Sequence, residues 1–131
     1  MDSYKVWYDF TKSKLRVAEL LLNDTEISFN DIMYSIQQVM EFALKTLIVY
    51  NKNCMPPKTH DMSVLCSIVE EQIKLPQDIL ETIISMTDFV TQRYPHEFEI
   101  GNIDDCKEAY KIARKLIDIL KNEIETHNIF R

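Results

Sequence analysis

A chain of 131 residues, 46% of them hydrophobic, fills one core without disulfide or metal staples and leaves no room for a second domain, so residues 1–131 are read as one unit. Its single glycine, Gly101, and four prolines are too few for the positive-φ turns of an antiparallel β fold. A formal charge of −6 and a pI near 5.0 argue against nonspecific, charge-driven nucleic-acid binding, which needs a net basic surface, although a local basic patch is compatible with that balance.

In chain order, Tyr4, Trp7, Tyr8, Leu15, Ala18, Leu21 and Leu22 recur at helical spacing, with Lys5, Lys12, Lys14 and Glu19 between them. They predict an amphipathic helix ending near Asn23. Ser28 followed by Asp31 resembles a weak capping box, and the stripe Phe29, Ile32, Met33, Ile36, Met40, Ala43, Leu44, Leu47 and Ile48 predicts a long, central second helix. Residues 51–60, NKNCMPPKTH, form a loop, because Pro56 and Pro57 cannot continue a helix.

Met62, Leu65, Cys66 and Val69 mark a short third helix. Pro76 fits the first position of a fourth, which carries Ile79, Leu80, Ile83, Met86 and Val90 and is stopped by Pro95 and Gly101. Asn102 can cap a last helix built on Ala109, Ile112, Ala113, Leu116, Leu120 and Ile124 and reaching about His127. The fold class is therefore all-α, an up-and-down bundle of about five helices. Ala43, Ala109 and Ala113 are read as ordinary core packing that permits close helix approach.

Cys54, Cys66 and Cys106, an odd number at no regular spacing, point to reduced thiols and a cytoplasmic setting. The first residues lack the apolar run of a signal peptide, and no stretch approaches the roughly 20 apolar residues of a membrane span, so no membrane partner is expected. Cys54, His60 and Cys66 follow no zinc spacing, and His96 and His127 lie on separate segments, so neither a metal nor a cofactor is expected. One glycine excludes a glycine-rich phosphate loop and a nucleophile elbow.

Lys58, Thr59 and His60 place an ammonium, a hydroxyl and an imidazole where a helix begins, and free N–H groups there favour an anion such as phosphate. The plainer alternative has Thr59 as a helix cap, His60 bonded to a neighbouring helix and Lys58 in solvent. Gln37, Gln38, Glu41 and Lys45 sit on the second helix, where Glu41 and Lys45 form an i,i+4 pair worth about a few tenths of a kcal/mol. Polar groups in so apolar a helix serve a subunit contact or a buried loop more often than they catalyse.

Taken together, several segments resemble the HEPN domain, the helical "higher eukaryotes and prokaryotes nucleotide-binding" module. They are Trp7 with Ala18, Glu19 and Leu20; Gln37, Gln38, Glu41, Ala43 and Lys45, which match a Gln-Gln-x-x-Glu-x-Ala-x-Lys signature; Pro56, Lys58, Thr59, His60, Asp61 and Met62, which match Pro-x-Lys-Thr-His-Asp-Leu with methionine in place of the final leucine; and Arg93, Tyr94 and Pro95. The match runs from Trp7 to about Leu120. The resemblance implies a helical homodimer, with Gln37, Gln38, Glu41, Lys45 and Tyr94 as family-signature or interface positions. It also implies a small nucleotidyltransferase as partner in a toxin–antitoxin or defence module, and binding of nucleotide or RNA phosphate by Lys58, Thr59, His60 and Arg93.

Ribonucleases of that family use an Arg-x(4–6)-His motif, in which a guanidinium steadies phosphate while an imidazole moves protons. Here only two residues separate Arg93 from His96, so the motif is missing in its usual spacing and no catalytic residue is assigned. If the chain were a metal-independent ribonuclease, Arg93 and His96 would carry it, and sites composed across a dimer axis could join them. A purely structural dimerisation module is the third alternative.

Overall fold

In the computed structural model of the chain, residues 3–91 and 103–129 are described, the side chains of 87–91 and 127–129 excepted. Five helices account for nearly all of them: α1 (Ser3–Leu22), α2 (Phe29–Lys52), α3 (Met62–Val69), α4 (Gln77–Thr91) and α5 (Ile103–Ile129). This is the all-α bundle that helical periodicity predicts.

The start of α2 is set by Ser28, whose extended backbone lets its hydroxyl accept the Asp31 N–H at 3.2 Å. The helix ends at Asn53, which adopts the left-handed conformation (φ 50°) and returns its N–H to the Val49 carbonyl at 2.9 Å. Asparagine tolerates that conformation better than most residues, so it takes the place glycine holds at many helix ends. Asp61, not Thr59, caps α3, since its carboxylate accepts the Ser63 N–H. Likewise α4 starts one residue later than the proline rule predicts: Pro76 stands just before it and its carbonyl receives the Leu80 N–H at 3.2 Å, a contact that needs no N–H from the proline.

Side-chain contacts fix the helix directions. Tyr4 meets Tyr50 edge to face and Thr11 meets Thr46 at 2.9 Å, so α1 and α2 run antiparallel. The Cys106 thiol lies by the Phe29 carbonyl and the Tyr50 hydroxyl by the Ile124 carbonyl, so α2 and α5 run parallel. Asp78 at the start of α4 pairs with Lys115, midway along α5. Helix α2 packs against each of the other four, and its Ile36, Met40, Leu44 and Leu47 are fully buried with Ala18, Ile79, Leu116 and Leu120. The same central helix carries a row of polar residues.

Candidate functional site

Gln37, Glu41 and Lys45 follow one another at four-residue intervals, so they form a single row along α2. All three are buried: Gln37 has no exposed surface, Glu41 is 1% exposed and Lys45 9%. Gln38, just off the row, is half-buried. The Lys45 Nζ donates to Glu41 Oε2 at 3.0 Å, and sits 5.9 Å from the ring centre of Phe42. Burial therefore changes the weight of a pair that spacing alone makes minor, because a buried charge left without its partner is costly.

A third group closes on the same carboxylate. The His60 Nδ1 lies 3.2 Å from Glu41 Oε2 and 3.4 Å from Oε1, and it donates when that nitrogen carries the hydrogen. Although its anchor is buried, the His60 side chain is 75% exposed. Glu41 thus reaches through the surface of the bundle to hold a loop. The loop is stiffened locally as well: Thr59 Oγ1 accepts the Asp61 N–H at 3.0 Å, and the Thr59 N–H reaches the Pro57 carbonyl at 2.9 Å. Lys58 is exposed beside them, and Pro56 is buried beneath.

The amino end of α3 is already taken by a carboxylate. Asp61 Oδ1 accepts from both the hydroxyl and the N–H of Ser63, at 2.6 and 3.0 Å. Those bonds, the hydroxyl foremost, hold the Asp61 carboxyl below the usual range. An incoming anion at this loop would therefore meet Lys58 and His60 rather than a bare helix terminus.

Gln37 differs from its neighbours in the row, since among the described residues neither Nε2 nor Oε1 has a hydrogen-bond partner. Such an orphaned amide is rare in a core. Arg93, Tyr94 and His96 lie outside the described residues. Of the thiols, Cys54 is exposed while Cys66 and Cys106 are buried. Burial, helped by Glu70, pushes the Cys66 thiol up to about 11, and burial with Asp105 raises Cys106. Among the described residues, no three His, Cys, Asp or Glu side chains are grouped to hold a metal ion, and no helix is long and apolar enough to cross a membrane.

A second concave surface lies between α4 and α5 and is lined by Asp78, Tyr110, Lys111, Arg114, Lys115 and Asp118, among others. Its cations are largely engaged. Lys115 Nζ is 2.7 Å from Asp78, and Arg114 donates to the Tyr110 hydroxyl, which donates to Glu19 of α1. The neutral lining makes it a poorer anion seat than the Lys58–His60 loop.

The sequence pattern of the HEPN domain matches residues 4–124, nearly the whole chain. The chain belongs to the HEPN domain family. Its HEPN fold is similar to that in the crystal structure of TT1696 from Thermus thermophilus, with a TM-score of 0.76 and 21% identity over 93% of this chain and 98% of that one. At that identity the likeness is one of fold. No curated protein matches the sequence.

Two of the HEPN signature segments, 37–45 on α2 and 56–61 in the loop, are joined in space by the contact of Glu41 with His60. Residue spacing could not reveal that contact, since the two stand 19 positions apart. The burial of Glu41 and Lys45 had a visible signal: apolar residues crowd every side of α2 from Val39 to Tyr50, leaving no solvent face to hold a charge.

Proposed function

We propose that this HEPN chain is a non-catalytic, homodimeric module that binds nucleotide or RNA phosphate and works beside a small nucleotidyltransferase in a cytoplasmic toxin–antitoxin or defence pair. The observation that carries this reading is the fastening of an exposed loop to a buried carboxylate. Glu41 fixes His60 on the surface, two residues along the loop from the exposed Lys58. Fixed donors bind an anion with less ordering cost than mobile ones, so a cation-bearing loop held this way is preorganised for phosphate. The short Arg93-to-His96 spacing supports binding without cleavage.

The test is incubation of the purified chain with mixed RNA in EDTA, alongside titration of fluorescent mononucleotides and short RNA. The reading expects intact RNA, measurable binding, and at least about tenfold weaker binding in Lys58→Ala and His60→Ala, the loss of one charge-assisted contact each. RNA cut by the parent chain but spared by folded His96→Ala and Arg93→Ala variants would make it a metal-independent ribonuclease. Absence of both binding and cleavage would leave a structural dimerisation module.

A further inference from the structure

Helix α1 carries two apolar faces, and among the described residues the second stays largely in solvent, although the Phe10 ring lies near that of Phe42. Tyr4, Thr11, Leu15, Ala18 and Leu22 turn toward the bundle. Val6, Phe10, Val17 and Leu20 turn away and are between 44 and 58% exposed. At 3.6 residues per turn the centres of these two faces are about 150° apart. With Ser13, the outer residues advance by four, three, four and three positions, the alternation by which two helices bury a shared seam.

We propose that this outer face is the seam between two copies of the chain, with α1 packed against α1 in antiparallel orientation. The proposal rests on the homodimer of the preceding reading and adds its face and direction. The face is complementary to itself in one register. Setting Phe10 opposite Ser13 of the partner subunit matches the largest side chain with the smallest, and it brings Val6 to Val17 of the partner subunit.

In that register the flanking charges also agree. Asp9 falls beside Arg16 of the partner subunit, and the two-fold axis repeats the pair. A parallel pairing in register would instead stack Phe10 on Phe10 and turn Arg16 toward an apolar neighbour. Within the chain, Asp9 meets Lys12 and Arg16 meets Glu19, both at 3.3 Å; these are exposed i,i+3 contacts that exchange readily. The seam extends onto α2, because the Phe10 ring lies 6.3 Å from that of Phe42.

The experiment is sedimentation equilibrium of the whole chain over a wide concentration range, with circular dichroism to confirm that each variant is folded. The parent should sediment at twice 15.5 kDa. Val17→Glu should weaken association about 100-fold, as expected for a charge forced into a desolvated seam. Ile84→Glu, at an exposed apolar site on α4, should leave it unchanged. Asp9→Arg or Arg16→Asp alone should weaken the dimer, and the two together should restore it.

A dimer that survives Val17→Glu, or single reversals that the double variant does not rescue, would overturn the antiparallel seam while leaving the homodimer in place. A parent chain that stays monomeric at every concentration would overturn the homodimer and the seam together.

Discussion

At Glu41 two kinds of contact converge on one carboxylate: a lysine one turn along the same helix, and a histidine from a loop 19 residues away. Removing the carboxylate leaves Lys45 nearly buried and uncompensated. Glu41→Ala should therefore cost about 3–5 kcal/mol of stability by urea denaturation, while Glu41→Met combined with Lys45→Leu should recover most of it. A loss as large in the double variant as in the single one would contradict this account. Gln37→Met should act in the opposite sense and stabilise by about 1–2 kcal/mol, since it removes an amide whose two polar atoms have no partner among the described residues.

Two other carboxyls report on pH. Asp61 is held low by Ser63, and Asp78 chiefly by its hydrogen bond from Lys115. A carboxyl depressed in the folded state takes its proton there later than the unfolded chain does, whose value is about 3.9. The stability it contributes is thus complete above about pH 4 and lost as pH falls through the lower, folded-state value. Melting curves of the parent and of Asp78→Asn should differ at pH 7 and converge in strong acid.

Of the elements, α2 decides the most. Its neighbours enclose it so fully that Leu44→Ala should cost about 2–5 kcal/mol by denaturant unfolding, with the spread set by how far the hole collapses. At the other end of the scale, the left-handed Asn53 should accept glycine at no loss of stability, whereas Asn53→Val should lower it by about 1–2 kcal/mol.

Periodicity makes these elements legible because each long helix writes its buried face into the chain at intervals of three and four. Ser28 and Pro76 mark the starts of α2 and α4 to within a residue. What spacing does not carry is the environment around each helix. Nothing in the interval between Glu41 and Lys45 says that a loop will cover them, and the short step from Arg93 to His96 says nothing of where those side chains stand. The second stripe of α1 is hidden for a related reason: Val6, Phe10, Val17 and Leu20 interleave with the core stripe, and only the burial of one set separates the two.

For the molecule as a whole, the HEPN fold is carried by helices that pack together across very different sequence distances. The α1 and α2 pair is a local hairpin, whereas α2 meets α5 through contacts such as Phe29 with Cys106 and Tyr50 with Ile124, 77 and 74 residues apart. Chemical modification should read the resulting closure directly. Iodoacetamide at neutral pH should label Cys54 in the folded chain, with Cys66 and Cys106 reacting only in denaturant, because both are buried and held as thiols. Mass spectrometry of the labelled peptides provides the count.

The parallel meeting of α2 with α5 has a consequence for the order in which the protein is made. A ribosome releases α1 and α2 early, and their hairpin is free to form as soon as both have cleared the exit tunnel. The flank of α2 that α5 will cover stays bare throughout the synthesis of α3 and α4. For that interval the nascent chain displays to water the side of α2 that runs from Phe29 past Met33 to Tyr50, an apolar surface of the kind a chaperone holds.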